Sequence, residues 1–532
     1  MTEYSIIIRD GTVFDGKGNK PEIADIGVQN GLIAKVGNLE GERADLVINA
    51  AGKYVTPGFI DLTTHSDTHW SVFTDPGQES FIGQGVTTIV GGNCGFSLAP
   101  FTARGSIEEV ERWVNVSEVN INWRTMGEFL SEMEGHPIGV NFATLVGLTT
   151  IRRGISERQG GVDDEELKTA EYLLKESLKE GAFGLSTNFG IYEMKSFADS
   201  AMIELCGILE KNNAILKHHL EDEGRELLPA VSRVLALARG SKAKSHISHF
   251  RALGKTSSLD FPKALLMLNR IRGEGIKITC DFFPYTNTDS DLLFLLPPWA
   301  RKMEHRELTA LLSDQKDERR AAILLHLKDL TLHYESVIVA SGPREVGVTG
   351  KTLDSISQNL GISGEEAILR LLIVNNLNVR IFSDAISAEN IELVAREDYA
   401  AVSSDGPGYD KKNFPGTPRG FNLPHPRSFG TFPRALQIFA KESGILDWAS
   451  AIHKMTGLPA TILGVSDRGL IARNCKADII IFDPLAISAE PNYEEPREEP
   501  KGVLWVLVNG EVALREGNLT GALSGRVLRK YM

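Results

Sequence analysis

Cysteine is scarce in this chain, and its four cysteines are scattered. Cys94, Cys206, Cys280 and Cys475 form no Cys-x-x-Cys pair, which argues against a disulfide framework and for a reducing compartment. Positive charge is not in excess either. Fifty-seven Lys and Arg face 70 Asp and Glu, a formal net charge of −13, so the chain carries no nucleic-acid footprint and is a poor match for anionic membranes. No apolar run reaches 18 residues, and Met1-Thr2-Glu3-Tyr4 leads straight into strand-like Ser5-Ile6-Ile7-Ile8-Arg9 with no secretory pattern. A cytoplasmic protein is the expectation. The Asn115-Val116-Ser117 and Asn518-Leu519-Thr520 sequons carry no meaning in that setting. The sequence also lacks a P-loop, a GxGxxG after a strand, internal repeats and low-complexity tracts.

What is there is a long, well-mixed chain. Its 532 residues, 42% hydrophobic and 24% charged, exceed one ordinary domain. The 51 glycines follow no collagen-like period and suit many tight β/α turns. The first 56 residues read as short strands broken by turns, among them Ile26-Gly27-Val28, the hairpin signal Asn30-Gly31, and Ile33-Ala34-Lys35-Val36. The C-terminus has the same texture in Ile479-Ile480-Ile481-Phe482 and Val503-Leu504-Trp505-Val506-Leu507-Val508. Residues 1–56 and 471–532 are therefore expected to build one small β-domain, with the main domain, 57–470, inserted between them.

In that main stretch strands alternate with amphipathic helices. Helices are predicted over 164–180 and 225–239, and strands over 140–145, 184–187, 214–216 and 276–281. Such alternation implies a parallel sheet, and the length favours a closed (β/α)8 barrel over a doubly wound sheet. Residues 287–350 begin Asn287-Thr288-Asp289-Ser290-Asp291, pass Pro297-Pro298-Trp299 and run into charged helical sequence. They read as an inserted, lid-like subdomain.

Five apolar runs end in side chains able to bind a metal: His65, Cys94, His219, His249 and Asp405. In a parallel barrel that end of a strand is where catalytic groups sit, and one cysteine with two histidines suits zinc. Each has a plain structural reading. A cysteine between glycines is a small buried residue, His218-His219 a solvated helix start, His246 and His249 an alternation across a strand, Asp405-Gly406 a turn. The joint pattern requires that explanation five times over. Glu221-Asp222-Glu223 reads as a solvated helix cap. Arg251 and Arg427 are either surface arginines or forks for a substrate carboxylate.

Together these motifs resemble the N-acyl-D-amino-acid deacylases (D-aminoacylases) of the amidohydrolase superfamily. The resemblance runs through Pro57-Gly58-Phe59-Ile60-Asp61, Gly92-Asn93-Cys94-Gly95, Gly184-Leu185-Ser186-Thr187, Ser248-His249 and Asp281-Phe282-Phe283-Pro284-Tyr285. It continues in Ser404-Asp405-Gly406, His425-Pro426-Arg427 and Ala477-Asp478. It implies a TIM-like barrel with a small β-sandwich from both termini, and zinc-dependent hydrolysis of N-acyl-D-amino acids. It implies a tight zinc on Cys94, His219 and His249, with Asp405 as acid/base. His219 is chosen over His218 because Glu223-Gly224 then falls in register. Tyr192, Arg251, Tyr285 and Arg427 are implied as substrate-binding, with Arg251 replacing a usual lysine. The family's first strand ends His-x-His. Here it reads Thr63-Thr64-His65, so a second, weaker metal position on His65 and Asp405 loses a ligand. His65 is left to position Asp405, hold an oxyanion or partly ligate that metal. Leu148 replaces another usual histidine, Arg152 is kept, and the loop 406–426 is long. A relative acting on cyclic amides, of the hydantoinase or dihydroorotase kind, is the alternative enzyme; such proteins usually bridge two metals with a modified lysine. An inactive scaffold is the alternative of another class.

Overall fold

The computed structural model describes residues 4–103, 106, 120–155, 161–191, 197–301, 303–330, 332–342, 344–413, 423–493 and 495–530. Eight parallel strands form a barrel at its centre. They are β1 (Phe59–Asp61), β2 (Val86–Gly91), β3 (Asn141–Thr144, prolonged by Val146–Gly147), β4 (Gly184–Asn188), β5 (Ile215–His219), β6 (Lys244–Ile247), β7 (Ile278–Phe282) and β8 (Ala400–Val402). Each pairs in parallel with the next, from Phe59↔Val86 through Gly184↔Ile215 to Cys280↔Ala400. Closure comes just past the strand ends. Asp405 N donates to Thr63 O at 2.9 Å, His65 N to Gly406 O at 3.1 Å, and Thr64 bridges Gly406 in parallel.

The helices form as their sequence directs. Asp163 caps the helix Asp164–Lys179 by accepting from Glu165 N and Glu166 N, and the Glu166 side chain accepts in return from Asp163 N. Ala170, Leu174, Ser177 and Leu178 then lie on its buried face, the i, i+4, i+7, i+8 stripe of a helix packed on one side. Burying each Leu there contributes about 1.5–3 kcal/mol. The helix predicted over 225–239 is found at Leu227–Ser241.

Both termini meet in one nine-stranded sheet. Tyr54–Pro57 pairs in parallel with Tyr4–Val13 and antiparallel with Ile479–Phe482, which continues into Val503–Val508. Asn30 and Gly31, with φ of 52° and 72°, make the tight hairpin between Glu22–Gln29 and Leu32–Gly37, as an Asn-Gly pair favours. Ile8, Ile26, Val55, Ile479, Ile481 and Leu507 share one apolar cluster.

The unit that begins at Asn287 has a three-stranded sheet of its own, whose central strand lies beyond residue 350. Its strand Asn287–Asp291 pairs antiparallel with Arg380–Asp384, which pairs in turn with Val337–Ser341. Its own core runs from Leu292 to Ile381. A sheet whose central strand is the last in sequence cannot end before that strand, so the unit extends to Asp384. Among the described residues no helix is long and apolar enough to cross a membrane, and all four cysteines are free.

Candidate metal centre and active site

Cys94 stands on a turn that only its neighbours permit. Gly92 has φ of 72°, and a Cβ there would lie 2.1 Å from Leu145 O; Gly95 has φ of 82°, and a Cβ there would lie 2.7 Å from Thr149 Oγ1. Asn93 Nδ2 ties the turn to Thr64 O and Val90 O, and Asp67 Oδ2 accepts from Gly92 N at 2.6 Å. Cys94 itself has φ of 52°, His249 36° and Asp405 56°. Non-glycine residues held in such regions cost about 1–3 kcal/mol each and cluster where geometry serves chemistry.

The turn brings Cys94 to two histidines on neighbouring strand ends. The potential ligand atoms of Cys94, His219 and His249 lie within 4.8 Å of one another. Cys94 Sγ is 3.5 Å from His249 Nε2, and the two imidazole rings are 4.5 Å apart. His249 Nδ1 is fixed by Glu223 Oε1 at 2.8 Å, whereas His219 Nδ1 is buried without a hydrogen-bond partner. A cysteine and two imidazoles whose donor atoms lie within 4.8 Å of one another, one ring oriented by a carboxylate, fit zinc. Burial alone would push the Cys94 thiol up. Hydrogen bonds with His219 and His249 outweigh it and hold the thiol well below its usual value.

Adjacent His218 faces the other way, as strand alternation requires. Its Nδ1 meets Thr187 Oγ1 at 2.9 Å and its ring stacks on Phe189. Burial, with His246 and Arg233 adding to it, lowers it to about 3, so it stays neutral.

Asp405 lies on the other side of His65. Its Oδ1 is 3.1 Å from His65 Nε2, and its Oδ2 accepts from Arg427 at 2.8 Å with Arg251 3.6 Å away. Burial would raise this carboxyl, but Arg427 and His249, with His65 hydrogen-bonded to it, hold it well below the usual carboxylate range. Burial would likewise lower His65, yet its bonds to Asp405 and Cys94 raise it to about 10. Carboxylates, guanidiniums and imidazoles thus face one another around Asp405. Phe283 lies under both guanidiniums, with ring distances of 5.2 Å to Arg251 and 5.5 Å to Arg427. The insertion reaches the same place, Asp289 Oδ2 lying 3.8 Å from Arg427 and paired with Arg380.

Other sequence candidates lie elsewhere. Tyr285 is buried against His425 and Arg434, its hydroxyl donating to Pro426 O at 3.4 Å. Tyr192 lies outside the described residues, as do 414–422 of the 406–426 loop. Leu148 is core, and Arg152 reaches Glu166 at 3.9 Å. His69 lies beyond the cluster, its Nδ1 on His65 O at 3.0 Å.

Two elements next to the cluster escape a reading of the sequence. Glu223, expected as part of a solvated cap, is buried and bridges His249 Nδ1 and Arg251 Nε, at 2.8 and 2.9 Å. Burial would raise it, but Arg251 and His249 lower it to about 2. Asp222 instead ties the turn before the helix, accepting from Gly224 N and Glu226 N. The second element is a buried network of Thr63, Lys217, His246 and Asp281. Thr63 Oγ1 donates to Asp281 Oδ2 at 2.5 Å and also meets Lys217 Nζ. His246 Nε2 lies 2.8 Å from the same oxygen, and Asp281 Oδ1 accepts from His249 N at 2.6 Å.

Comparison with known proteins gives a consistent picture. No family model matches the chain. It is 26% identical over 528 residues to a D-aminoacylase of Alcaligenes xylosoxydans xylosoxydans, covering 99% of this chain and 98% of that one. An N-acyl-D-aspartate deacylase of the same organism is 28% identical over 532 residues, with 98% and 94% covered. Among solved structures, an N-acyl-D-glutamate deacylase from Bordetella bronchiseptica with zinc and a phosphonate inhibitor superposes with a TM-score of 0.83 at 24% identity, covering 99% of this chain and all of that one. A D-aminoacylase structure concerned with a binuclear metal centre, one-metal activation and second-metal attenuation gives 0.81 at 25%, with the same coverage.

Proposed function

We propose that this chain, similar over almost all of its residues to the D-aminoacylases of the amidohydrolase superfamily, hydrolyses the amide bond of N-acyl-D-amino acids with one tightly held zinc. The observation that carries the reading is the convergence of Cys94, His219 and His249 beside Asp405 at the mouth of a closed barrel. When bound, the zinc supplies Lewis acidity that polarises the scissile carbonyl.

The remaining work falls to side chains. Asp405 accepts the proton of the attacking water through a carboxylate oxygen and returns it to the leaving nitrogen, so the products are a carboxylate and a free amino acid. His65 holds Asp405 Oδ1 in place at 3.1 Å. Arg251 and Arg427, both mostly buried, hold the substrate carboxylate. A carboxylate arriving on Arg427 competes with Asp405 for that guanidinium and leaves Asp405 a stronger base. Preference for the D configuration is drawn from the relatives' activities, and D-aspartate and D-glutamate derivatives belong among the first substrates tried.

A cyclic-amide hydrolase with a lysine bridging two metals fits less well. The two lysines buried among the described residues are Lys217, paired with Asp281, and Lys454, which donates to the carbonyls of Glu397 and Ala400. Neither is placed as a bridge between metals. The test is amine release from N-acyl-D-amino acids and their L enantiomers by zinc-loaded protein, with Asp405→Ala as control. D-selective release lost in the variant supports the reading; silence across the panel overturns it.

A further inference from the structure

Thr63 and His65 are two residues apart at the end of β1, and both side chains face the barrel axis, Thr63 meeting Asp281 and His65 meeting Asp405. Lys217 enters the same space from β5, two residues before His219 and so one layer deeper in the barrel. Its side chain is 3% exposed. Its amine donates to Leu62 O at 2.5 Å, contacts Thr63 Oγ1 and pairs with Asp281 Oδ2 at 3.2 Å. The Thr63 hydroxyl is therefore fully committed, its proton to Asp281 and a lone pair to the amine.

We infer that Lys217 and Thr63 together replace a second metal ion, the side-chain amine filling the cation position beside β1 and holding the centre at one zinc. A second cation near His65 and Asp405 would need a further donor from β1. Thr63 offers only an occupied hydroxyl, with a positive charge on its far side. Arg427 and Arg251 already supply positive charge to Asp405 from the other side, so an incoming ion is opposed from two directions. One relative's structure is described in terms of a second metal that attenuates activity. In this chain the fold itself would withhold that ion. Asp281 gains from the same arrangement, because its buried carboxylate, which also accepts from His249 N, is compensated by an internal group rather than a dissociable one.

The inference rests on the zinc reading above, so its test counts metal rather than turnover. Metal-free protein is equilibrated with a ~100-fold excess of zinc, passed through a desalting column, and its zinc measured by elemental analysis. About one zinc per chain is expected, and cobalt substitution should give an uncoupled paramagnetic signal. Two retained ions per chain in the unaltered protein overturn the inference while leaving the zinc reading intact; no retained zinc overturns both. The variant Thr63→His/Lys217→Ala should retain a second ion, with its dissociation constant lowered at least ~10-fold. A folded double variant that still holds a single zinc would show that the amine is not what excludes the second. Should that variant not fold, Lys217→Met in the Thr63→His background makes the same measurement with the volume kept.

Discussion

Removing the charge of Glu223 should loosen the metal centre without touching a proposed ligand. The carboxylate lies behind His249, accepting from Nδ1 at 2.8 Å, and it accepts from Arg251 Nε at 2.9 Å. Each is a charge-assisted hydrogen bond, worth about 1.5–3 kcal/mol. Glu223→Gln keeps one acceptor oxygen but turns the other into an amide donor aimed at a donor, so one of the two bonds is lost. For zinc, the loss of such an orienting carboxylate costs about 10–100-fold in affinity, or about 1.4–2.8 kcal/mol. Titration of the variant against a chromophoric chelator reads that loss directly, and a thermal melt of the metal-free protein reads the structural part. Zinc affinity within about twofold of the unaltered protein, in a variant that folds, would refute the idea that Glu223 fixes His249 for coordination.

Asp405→Asn should lower kcat by ~10²–10⁴ with zinc retained; loss of zinc on elemental analysis would make Asp405 chiefly a ligand. Glu223, held at about 2 against a reference of 4.5, adds stability that is present above pH 4.5 and lost as pH falls through 2. The melting temperature of metal-free protein should therefore decline across that window, and less steeply in Glu223→Gln. Gly92→Ala places a Cβ 2.1 Å from Leu145 O at a φ of 72°, and should destabilise by more than ~1 kcal/mol with a lower Tm and weaker zinc retention. Arg427→Lys keeps the charge but loses the planar fork, and KM for the amino-acid substrate should rise about tenfold; an unchanged KM would move the carboxylate site elsewhere.

The parts of this site that can be read from the sequence are those that end strands. Cys94, His219, His249 and Asp405 each follow an apolar run, and a parallel barrel gathers such positions at one mouth. Glu223 cannot be read that way, because an acidic triplet before a helix looks solvated, and only the contacts of Glu223 with His249 and Arg251 set it apart from Glu221 and Asp222. Lys217 is hidden in a strand whose pattern reads as core, and its partners Leu62 and Thr63 are 155 and 154 residues away in sequence. The far limit of the insertion is concealed for a related reason: Arg380–Asp384 belongs with Asn287–Asp291 through pairing across some ninety residues. Local pattern reports which face a residue takes, not which distant segment meets it.

The seam between the first and last strands ties turnover to local opening. Asp405 N and His65 N each donate across it, to Thr63 O and Gly406 O, so the backbone that fastens the barrel also carries the proposed proton-transfer carboxylate. A fluctuation that unfastens 400–406 should separate Asp405 from His65 before the rest of the molecule melts. Amide hydrogen exchange at Asp405 and His65 should therefore report the same opening free energy as reversible heat inactivation, below that of global unfolding.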